Sequence, residues 1–322
     1  MVESPGRITL WGIEIFMAAA DERSISAAAR RLGASPSTVS QQLTNLESAV
    51  GATLLDRNAR PVRLTKAGEI MHRRAQAILN EAAQARAELA MSDLSMLTRF
   101  RLGMIEDFEA DVTPQLLTHM AGEIRGCQFL LETGASHHLY DLLDSRALDV
   151  IVAAELGGEA DWVEVHPLLR EPFVVAAPRG VMPAESDRLL RHLRRMPLIQ
   201  YTQRHYMGRL VSSHIARQNI TLPHRFELDS YHAILALVGQ GQGWTILTPL
   251  ALRRAQRFAA QIDVFDLPFE PLSRTISLTA RRGILQDMPT NVAATLKPIL
   301  QETVIAPSVA RHPFLRETLK LL

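Results

Sequence analysis

Apolar residues recur at helical spacing through most of residues 8 to 92, with one interruption around residues 52 to 65. From Arg99 onward, short apolar runs alternate with helical stretches. Strands are predicted at FRLGMI, CQFLLE, DVIVAA, FVVAAP, PLIQYT, GWTILTP and RTISLTA, and helices at VTPQLLTHMAG, SHHLYDLLDSR, MGRLVSSHIARQ and SYHAILALVGQ. This alternation predicts α/β layering with largely parallel strands, and it places a domain boundary near residues 91 to 97.

Two short helices joined by a tight turn are predicted between residues 24 and 50. The first contains Ala28 and Ala29, whose small side chains allow a second helix to approach closely. In the second, Ser35 is a favourable N-cap and Pro36 occupies the first turn, where a missing N–H costs nothing. This arrangement predicts a helix-turn-helix, and the apolar stripe of its second helix consists of Val39, Leu43, Leu46 and Val50.

The opposite face of that second helix is polar but carries no charge before Glu47. Solvated faces are usually built from Glu and Lys. Gln, Ser and Thr side chains near the start of a recognition helix, by contrast, bond to base edges in the major groove. We therefore favour DNA readout, with a solvated surface as the alternative. The candidate DNA-binding residues on this helix are Ser35, Pro36, Ser37, Thr38, Ser40, Gln41 and Gln42.

A small hairpin is predicted next, because apolar residues flank a polar loop on both sides. Its apolar positions are Leu54, Leu55, Val62 and Leu64, and its loop carries Arg57, Asn58, Arg60 and Arg63. Exposed arginines at this place are suited to phosphates or to the minor groove of DNA. The hairpin and the preceding helices predict a winged helix-turn-helix domain over residues 1 to 65.

Composition constrains these predictions only weakly. The 322 residues suggest two or three domains, and a net charge of +1 means that any basic surface is local. No secretory signal is present, nor any apolar run of the ~20 residues that span a bilayer, so we expect a cytoplasmic protein without membrane association. The single cysteine, Cys127, excludes an intrachain disulfide and is expected to be a buried thiol in a strand.

Spaced residues in this first region match one family pattern. They are Ser24, Ile25 and Ser26 before the paired alanines, then Val39, Ser40, Leu46, Glu47, Gly51, Arg57, Leu64, Thr65, Ala67 and Gly68. In these positions the chain resembles the winged helix-turn-helix of LysR-type transcriptional regulators, over about the first 90 residues. It departs from that pattern where Arg23 replaces a frequent glycine, Gln41 a common arginine and Leu55 a common phenylalanine.

An uninterrupted, alanine-rich helix is predicted over residues 66 to 92. A small domain alone cannot bury the apolar seam of so long a helix, so we expect it to pair with a second copy, with packing inside one chain as the alternative. The resemblance implies the same, namely a linker helix that forms a homodimer, with two dimers commonly making a homotetramer. The seam consists of Ile70, Ala77, Ile78, Ala85 and Leu89.

Residues 93 to 306 resemble the effector-binding domain of that family, which has two α/β lobes of periplasmic-binding-protein architecture. The resemblance places the first lobe at about 100–168 and 268–304, the second at about 169–267, and a tail of unpredicted role at 307–322. Ligands of such folds bind at the carboxyl ends of the strands. The candidate effector-binding residues at these ends are Glu106, Asp107, Gly134, Ala135, Ser136, Tyr201, Thr202, His205, Ser230 and His232.

These candidates leave the charge of the effector open. Helix N-termini and hydroxyl groups favour a carboxylate, whereas Glu106 and Asp107 favour an amine or a polyol. The alternative for both acids is that they stabilise a helix N-terminus. His137 and His138 do not have recognised metal-ligand spacing, so neither a metal nor another cofactor is expected.

We therefore expect a bacterial DNA-binding transcriptional regulator of the LysR type, and not an enzyme. Its expected partners are double-stranded promoter DNA, a small-molecule effector, a second copy of itself and, if it activates, RNA polymerase. Two alternatives remain. One is a ligand-independent regulator, for which we expect a cleft filled by its own side chains. The other is an enzyme of binding-protein fold with a DNA-binding head, which would need a nucleophile–base pair in the cleft.

Overall fold

The computed structural model describes residues 7–57, 59–90, 97–157, 160–181 and 186–322. It divides into two compact units, one formed mainly by residues up to Leu97 and the other mainly by residues from Thr98 onward. The boundary predicted near residues 91 to 97 lies, apart from Leu97, outside the described residues. In the described part of the chain, no helix is both long enough and apolar enough to cross a bilayer.

Four helices and a two-stranded wing form the N-terminal unit. Its elements are α1 (Leu10–Glu22), α2 (Ile25–Leu32), α3 (Pro36–Val50), β1 (Leu55–Asp56), β2 (Arg63–Leu64) and α4 (Lys66–Ala90). Thr9, Ser24 and Ser35 cap the first three helices, and each side chain accepts a hydrogen bond from a backbone N–H three residues later. Gly33 and Gly51 end α2 and α3 in the left-handed conformation. The predicted winged helix-turn-helix is confirmed.

The end of α1 shows why glycine is frequent at the position of Arg23 in the family pattern. Arg23 adopts the left-handed conformation there, with φ of 49°. Glycine reaches this conformation without steric cost, whereas a residue with a Cβ is strained in it. The Arg23 carbonyl accepts a hydrogen bond from the Val62 N–H at 3.1 Å, which ties the wing to the turn between α1 and α2.

The core of this unit forms where the apolar sides of α1, α2, α3 and α4 meet under the wing. Ala28 and Ala29 are fully buried, as the close approach of two helices requires. In the wing, Leu55 pairs with Leu64 and Asp56 with Arg63, in antiparallel register. The largest buried side chains of this core are Ile13, Ile15, Phe16, Leu43, Leu46, Leu54 and Leu55.

A six-stranded sheet organises the first lobe of the C-terminal unit. Its strands are β3 (Arg99–Ile105), β4 (Gln128–Gly134), β5 (Val150–Ala154), β6 (Val163–Pro172), β12 (Ser273–Arg281) and β13 (Lys320–Leu321), in the spatial order β13–β6–β12–β5–β3–β4. Helices α5 (Val112–Glu123), α6 (Ser136–Asp144) and α11 (Met288–Leu300) belong to the same lobe. The central strand β5 is buried along its whole length.

The second lobe contains β7 (Val174–Pro178), β8 (Leu198–Tyr201), β9 (His224–Leu228), β10 (Thr245–Leu247) and β11 (Ile262–Asp266). Its helices are α7 (Ser186–Leu193), α8 (Tyr206–Arg217), α9 (Tyr231–Gly239) and α10 (Pro249–Arg254). Strands β10, β7 and β11 form one sheet, and β8 pairs with β9. Trp244 is fully buried between these layers, and its indole N–H donates to the Leu193 carbonyl at 3.0 Å.

The prediction of largely parallel strands is wrong. Strand β3 pairs in parallel with β4 and β5, and β8 with β9, but β12 is antiparallel to β5 and β6, and β7 is antiparallel to β10 and β11. Strand β6 leads into the second lobe and β12 returns from it, so the two run in opposite directions. Residues 168 and 169, where the lobes were predicted to divide, both lie inside β6.

The tail that follows α11 completes the first-lobe sheet. The chain continues through a π-helical turn (Gln301–Ile305), α12 (Ala306–Arg311) and a 3₁₀ turn (Pro313–Glu317) to β13. Strand β13 pairs with Arg170 and Leu169 of β6, in antiparallel register. Leu315 and Leu319 are buried, so the tail is an integral part of the lobe.

Candidate nucleic-acid interface and ligand cleft

The residues predicted to read bases lie along one side of α3, away from its buried stripe. Val39, Leu43 and Leu46 are buried in the core. The predicted base-reading residues in the first two turns are exposed or half-buried. Exposed residues are Ser35, Pro36, Ser37, Thr38 and Gln41, and half-buried ones are Ser40 and Gln42.

Hydroxyl groups at the start of α3 bond to one another. Ser35 Oγ lies 2.8 Å from both Ser37 Oγ and Thr38 Oγ1, and it accepts the Thr38 N–H at 3.1 Å. One turn later the Gln41 amide donates to Asn45 Oδ1 at 3.0 Å. These exposed side chains can exchange such local bonds for bonds to a base edge or a phosphate.

One carboxylate on α3 fixes the wing. Glu47 Oε1 accepts hydrogen bonds from the Leu54 and Leu55 N–H groups, at 2.8 and 3.2 Å. Glu47 Oε2 forms an ion pair with Arg57 Nη2 at 2.5 Å, and Arg57 Nη1 donates to Thr44 at 3.3 Å. Arg57 is therefore half-buried and engaged inside the unit, unlike the exposed arginine that the sequence predicts.

Arg60 and Arg63 fit the prediction of exposed wing arginines. Neither forms an ion pair with any other described residue. Arg31, by comparison, pairs with Asp21 at 3.4 Å and Glu22 at 3.3 Å. Asn58 lies outside the described residues. Two unpaired guanidinium groups on a hairpin that is anchored to α3 are suited to phosphate contacts.

The predicted seam of α4 is partly uncovered. Ile70 is 58% exposed and Ile78 is 40% exposed. Ala85 is exposed as well, and Ala77 is half-buried, whereas the Leu89 side chain lies outside the described residues. Large apolar side chains in water along a helix favour association with another surface.

In the C-terminal unit, a cavity of about 280 Å³ lies where strand ends of the two lobes meet. The first lobe contributes the ends of β3 and β4 and the start of α6. The second contributes the end of β8 and the starts of α8 and α9. The lining residues are Ile105, Glu106, Asp107, Gly134, Ala135, Ser136, His137, Tyr201, His205, Tyr206, Met207, Asp229, Tyr231 and Arg274. We refer to this space as the cleft cavity.

Most of the candidate effector-binding residues line the cleft cavity, namely Glu106, Asp107, Gly134, Ala135, Ser136, Tyr201 and His205. Three candidates have other places. Thr202 is buried and its hydroxyl donates to Glu227 at 2.7 Å. Ser230 is the N-cap residue of α9, and His232 lies in the first turn of that helix.

Sequence reasoning missed several lining residues. Three of them lie in the first turns of α6, α8 and α9, namely His137, Tyr206 and Tyr231. Each directly follows a predicted residue in the sequence, so adding the next residue to each prediction would have included them. Arg274 comes from the returning strand β12, far along the chain, and nothing near it in the sequence points to the cleft cavity.

A buried ion network forms one wall of the cleft cavity. Arg274 Nε donates to Glu171 Oε2 at 2.7 Å, and its Nη2 donates to Asp107 Oδ2 at 3.0 Å. Glu171 Oε1 accepts the Leu250 N–H of α10 at 2.7 Å. The exposed side-chain fractions of Arg274, Asp107 and Glu171 are only 7, 3 and 0%.

The charges of this network follow from burial and pairing. Burial alone would lower the pKa of Arg274, but the carboxylates of Glu171 and Asp107 outweigh this effect and raise the pKa, so the guanidinium stays charged. Burial raises the pKa of Glu171, more than attraction to Arg274 lowers it. The charged carboxylate of Glu171 is therefore stable in the interior only when it is paired with Arg274.

Both acids that follow β3 have an arginine partner. Asp107 pairs with Arg274, and Glu106 forms an ion pair with Arg254 of α10. Arg254 also lies 3.6 Å from Glu109. From the sequence, the alternatives were acids that bind an amine and acids that stabilise a helix N-terminus. Glu106 and Asp107 do lie in the first turn of a 3₁₀ helix (Glu106–Phe108), and both also form ion pairs that the sequence did not predict. One acceptor remains, because Asp107 Oδ1 is buried without a hydrogen-bond partner among the described atoms.

Aromatic rings form the second-lobe side of the cleft cavity. The Tyr201 ring lies 5.3 Å from Tyr231 and 5.6 Å from His205, and His205 lies 5.7 Å from His137. Burial, together with Glu106 nearby, raises the pKa of Tyr201 to about 12, so its hydroxyl keeps its proton. In the described structure, His205 Nδ1 is buried without a hydrogen-bond partner.

Cys127 differs from its prediction as a buried strand residue. It directly precedes β4 and is partly exposed. Burial of the thiol, with the charge of Asp149 as the smaller cause, raises its pKa. A raised pKa lowers the thiolate fraction at neutral pH and with it the reactivity of the thiol.

Comparison with known families covers both units. The family model described as bacterial regulatory helix-turn-helix protein, lysR family, matches residues 10–69, and the LysR substrate binding domain model matches residues 96–294. These families describe regulators, and not enzymes.

Individual proteins agree with the family models. A probable hydrogen peroxide-inducible genes activator of Mycobacterium avium is 34% identical over 172 residues, which cover 53% of this chain and 55% of that protein. The match thus spans about half the length of this relative.

Two solved structures share the fold. A full-length OxyR variant of Pseudomonas aeruginosa has 23% identity and a TM-score of 0.65, over 90% of this chain and 95% of that one. Full-length CbnR in complex with its target DNA has 17% identity and a TM-score of 0.60, over 92% and 99%. With both units matched by their own family models, the chain belongs to the LysR family of bacterial regulatory helix-turn-helix proteins.

Proposed function

We propose that this chain is a sequence-specific DNA-binding transcriptional regulator whose activity responds to a small molecule bound in the cleft cavity. The observation that carries the proposal is the cleft cavity itself. It combines aromatic walls with two buried polar atoms, Asp107 Oδ1 and His205 Nδ1, that have no partner among the described residues. Leaving such atoms unpaired costs free energy, which a bound ligand recovers.

The N-terminal unit supports the DNA-binding half of the proposal. The exposed hydroxyls and amides of α3 are suited to base edges, and Arg60 and Arg63 to phosphates. The same fold binds target DNA in CbnR. The exposed side chains of Ile70 and Ile78 on α4 support a homodimer. In such a dimer each α3 helix would bind one of two DNA half-sites. We place this regulator in the cytoplasm, where an activating form would also meet RNA polymerase.

The cleft cavity favours a ligand-dependent regulator over a ligand-independent one. A regulator controlled only by its abundance needs no open cleft. Here the ion pairs of Glu106 and Asp107 with Arg254 and Arg274 hold the wall in place and leave about 280 Å³ open beside it. Two observations disfavour an enzyme. The family consists of regulators, and Ser136, the serine of the cleft cavity, forms no hydrogen bond to a base among the described residues. The Ser136 Oγ accepts the Ala154 N–H at 3.1 Å and bonds to no histidine in the described structure.

The lining also indicates the chemistry of the effector. Tyr201, Tyr231 and the imidazole of His137 suit a planar, partly apolar molecule. Asp107 Oδ1 requires a hydrogen-bond donor on that molecule, and the imidazole of His205 requires a polar group near it. We therefore propose a planar effector that carries both a donor and an acceptor or anionic group.

The names of several relatives suggest peroxide as a second candidate signal. A thiol response to peroxide proceeds through the thiolate, whose fraction falls as the thiol pKa rises. Cys127 is the single cysteine of the chain and its pKa is raised, so it is poorly suited to this chemistry. We expect Cys127→Ser to leave DNA binding and its regulation unchanged. Loss of regulation in that variant would make the thiol the sensor.

The test uses the full-length protein and a library of planar acids, amines and phenols in thermal-shift assays. A molecule that binds only the native state raises Tm, and the rise grows with the logarithm of its concentration relative to Kd. A true effector also changes the affinity for promoter DNA, measured by fluorescence anisotropy with the same protein.

Two histidine variants assign a hit to its site. His205→Ala removes a ring of the cleft cavity, whereas His192→Ala removes an exposed ring of α7. We expect the thermal shift to disappear in His205→Ala and to persist in His192→Ala. A hit that survives His205→Ala, and also survives Tyr231→Ala, binds elsewhere and contradicts the assignment of the effector to the cleft cavity.

A further inference from the structure

A second cavity, of about 160 Å³, lies between α10 and the C-terminal tail and is separate from the cleft cavity. Helix α10, the turn after it and strand β11 form one side, and they belong to the second lobe. Helix α12 of the tail forms the other side, and α12 continues from α11 of the first lobe. The two cavities share no lining residue. We call this second space the tail cavity.

The walls of the tail cavity combine apolar and polar side chains in similar proportion. Apolar side chains from α10, β11 and the tail line it, namely Pro249, Leu252, Ala255, Ile262, Val264 and Pro307. At about 160 Å³ against about 280 Å³, it admits a smaller molecule than the cleft cavity does. Apolar side chains of this kind bind the hydrocarbon part of a small ligand.

One buried hydroxyl group in this wall lacks a partner. Ser308 is only 5% exposed, and its Oγ has no hydrogen-bond partner among the described atoms. A buried helical serine can satisfy its hydroxyl by donating to the carbonyl four residues earlier. Here the π-helical turn Gln301–Ile305 precedes α12, and the Ala306 N–H donates to the Gln301 carbonyl. Such π-turns frequently accompany functional sites, and an unsatisfied buried hydroxyl calls for an explanation.

The guanidinium groups of Arg253 and Arg311 line the tail cavity, and its described lining residues include no carboxylate. His312 also lines it, but burial and the charge of Arg311 lower the pKa of its imidazole, which is therefore neutral at neutral pH. Arg253 already pairs with Asp111 at 2.6 Å. Arg311 is exposed and has no ion pair among the described residues. A free guanidinium beside apolar side chains and a buried hydroxyl is suited to a carboxylate on an apolar body.

We propose that the tail cavity is a second ligand site, which binds a small apolar carboxylate with its acid group at Ser308 and Arg311. This site is independent of the effector in the cleft cavity. Because the ligand would contact α10 of the second lobe and α12 of the tail, it would join the two lobes.

The test is isothermal titration calorimetry of the full-length protein with cyclohexanecarboxylate, benzoate and 3-methylbutanoate as probes. Cyclohexanecarboxamide serves as the matched neutral probe. We expect saturable binding of at least one acid, and weaker binding of the amide. Arg311→Gln should weaken the acid about tenfold, as loss of a charge-assisted hydrogen bond does. Arg316→Gln, an exposed arginine of the tail outside the tail cavity, should leave the affinity unchanged.

Ser308→Ala separates a ligand contact from a structural role. If the hydroxyl serves only the ligand, its removal weakens acid binding and raises the Tm of the free protein, because an unsatisfied buried group disappears. A hydroxyl needed for folding would instead lower Tm, and that result would contradict the proposal. Three further results would overturn it: no saturable binding of any of the three acids at millimolar concentration, equal affinity for acid and amide, or binding lost in His205→Ala but retained in Arg311→Gln.

Discussion

Among the described residues, Arg274 is the one cation that pairs with the deeply buried carboxylates of Asp107 and Glu171, so its removal tests the account of the cleft wall. Arg274→Met replaces the aliphatic stem of the arginine with an unbranched apolar side chain and removes the charged guanidinium. Glu171, which exposes none of its side chain, then loses its ion pair at 2.7 Å, and Asp107 loses one at 3.0 Å. Breaking a buried pair by removing one partner costs about 3–5 kcal/mol. For a unit of this size that loss corresponds to a decrease in Tm of roughly 6–20 °C.

The assay is thermal unfolding of the full-length protein, followed by tryptophan fluorescence. Trp244 is fully buried in the C-terminal unit, so the red shift of its emission reports the unfolding of the second lobe. The matched control is Arg253→Met. It breaks the ion pair with Asp111, which is much more exposed. Exposed pairs contribute about 0–1 kcal/mol, so the control should change Tm only slightly.

The pH dependence supplies an independent check. The folded-state pKa of Glu171 is raised by burial, and loss of Arg274 removes the largest influence that opposes this rise. A carboxyl group with a raised folded pKa stabilises the fold below its unfolded pKa and loses this contribution as pH rises through the folded value. The deficit of Arg274→Met relative to the wild type should therefore be smallest at acidic pH and grow toward neutral pH.

A double variant completes the design. Replacing both charges, as in Arg274→Met with Glu171→Leu, should recover part of the lost stability, because an apolar pair needs no compensation. Equal losses in Arg274→Met and Arg253→Met, or a deficit independent of pH, would refute the reasoning.

Three further predictions concern the DNA-binding unit. Gln41→Ala should cost roughly 1–3 kcal/mol at one base position in anisotropy titrations, and an equal loss on random DNA would contradict base reading. Arg60→Ala should reduce the slope of log K against log salt by about one, whereas Arg31→Ala, which removes an ion-paired arginine, should not. Glu47→Ala should speed hydrogen exchange at Leu54 and Leu55, with a local loss of about 1.5–3 kcal/mol, whereas Glu47→Gln should retain part of the protection. Unchanged exchange in Glu47→Ala would show that the carboxylate does not hold the wing.

The sequence predicted the N-terminal unit closely because its signals are local. The cap at Ser35, the buried stripe of Val39, Leu43 and Leu46, and the hairpin around Arg60 depend on residues only a few positions apart. Helical periodicity and capping are properties of such short segments. Strand ends in the C-terminal unit are local signals too, and they brought Asp107, Ser136 and Tyr201 into the candidate set although strand direction was predicted wrongly.

Contacts between distant segments could be decided only by the tertiary structure. Nothing near Glu106 or Asp107 in the sequence indicates that Arg254 and Arg274 will pair with them. The same holds for the tail, whose last strand β13 pairs with β6 and whose helix α12 lines the tail cavity. The physical reason is that the hydrophobic pattern depends on neighbours along one helix or strand. The partner of a charge or of a strand edge is set by how the chain crosses between the lobes.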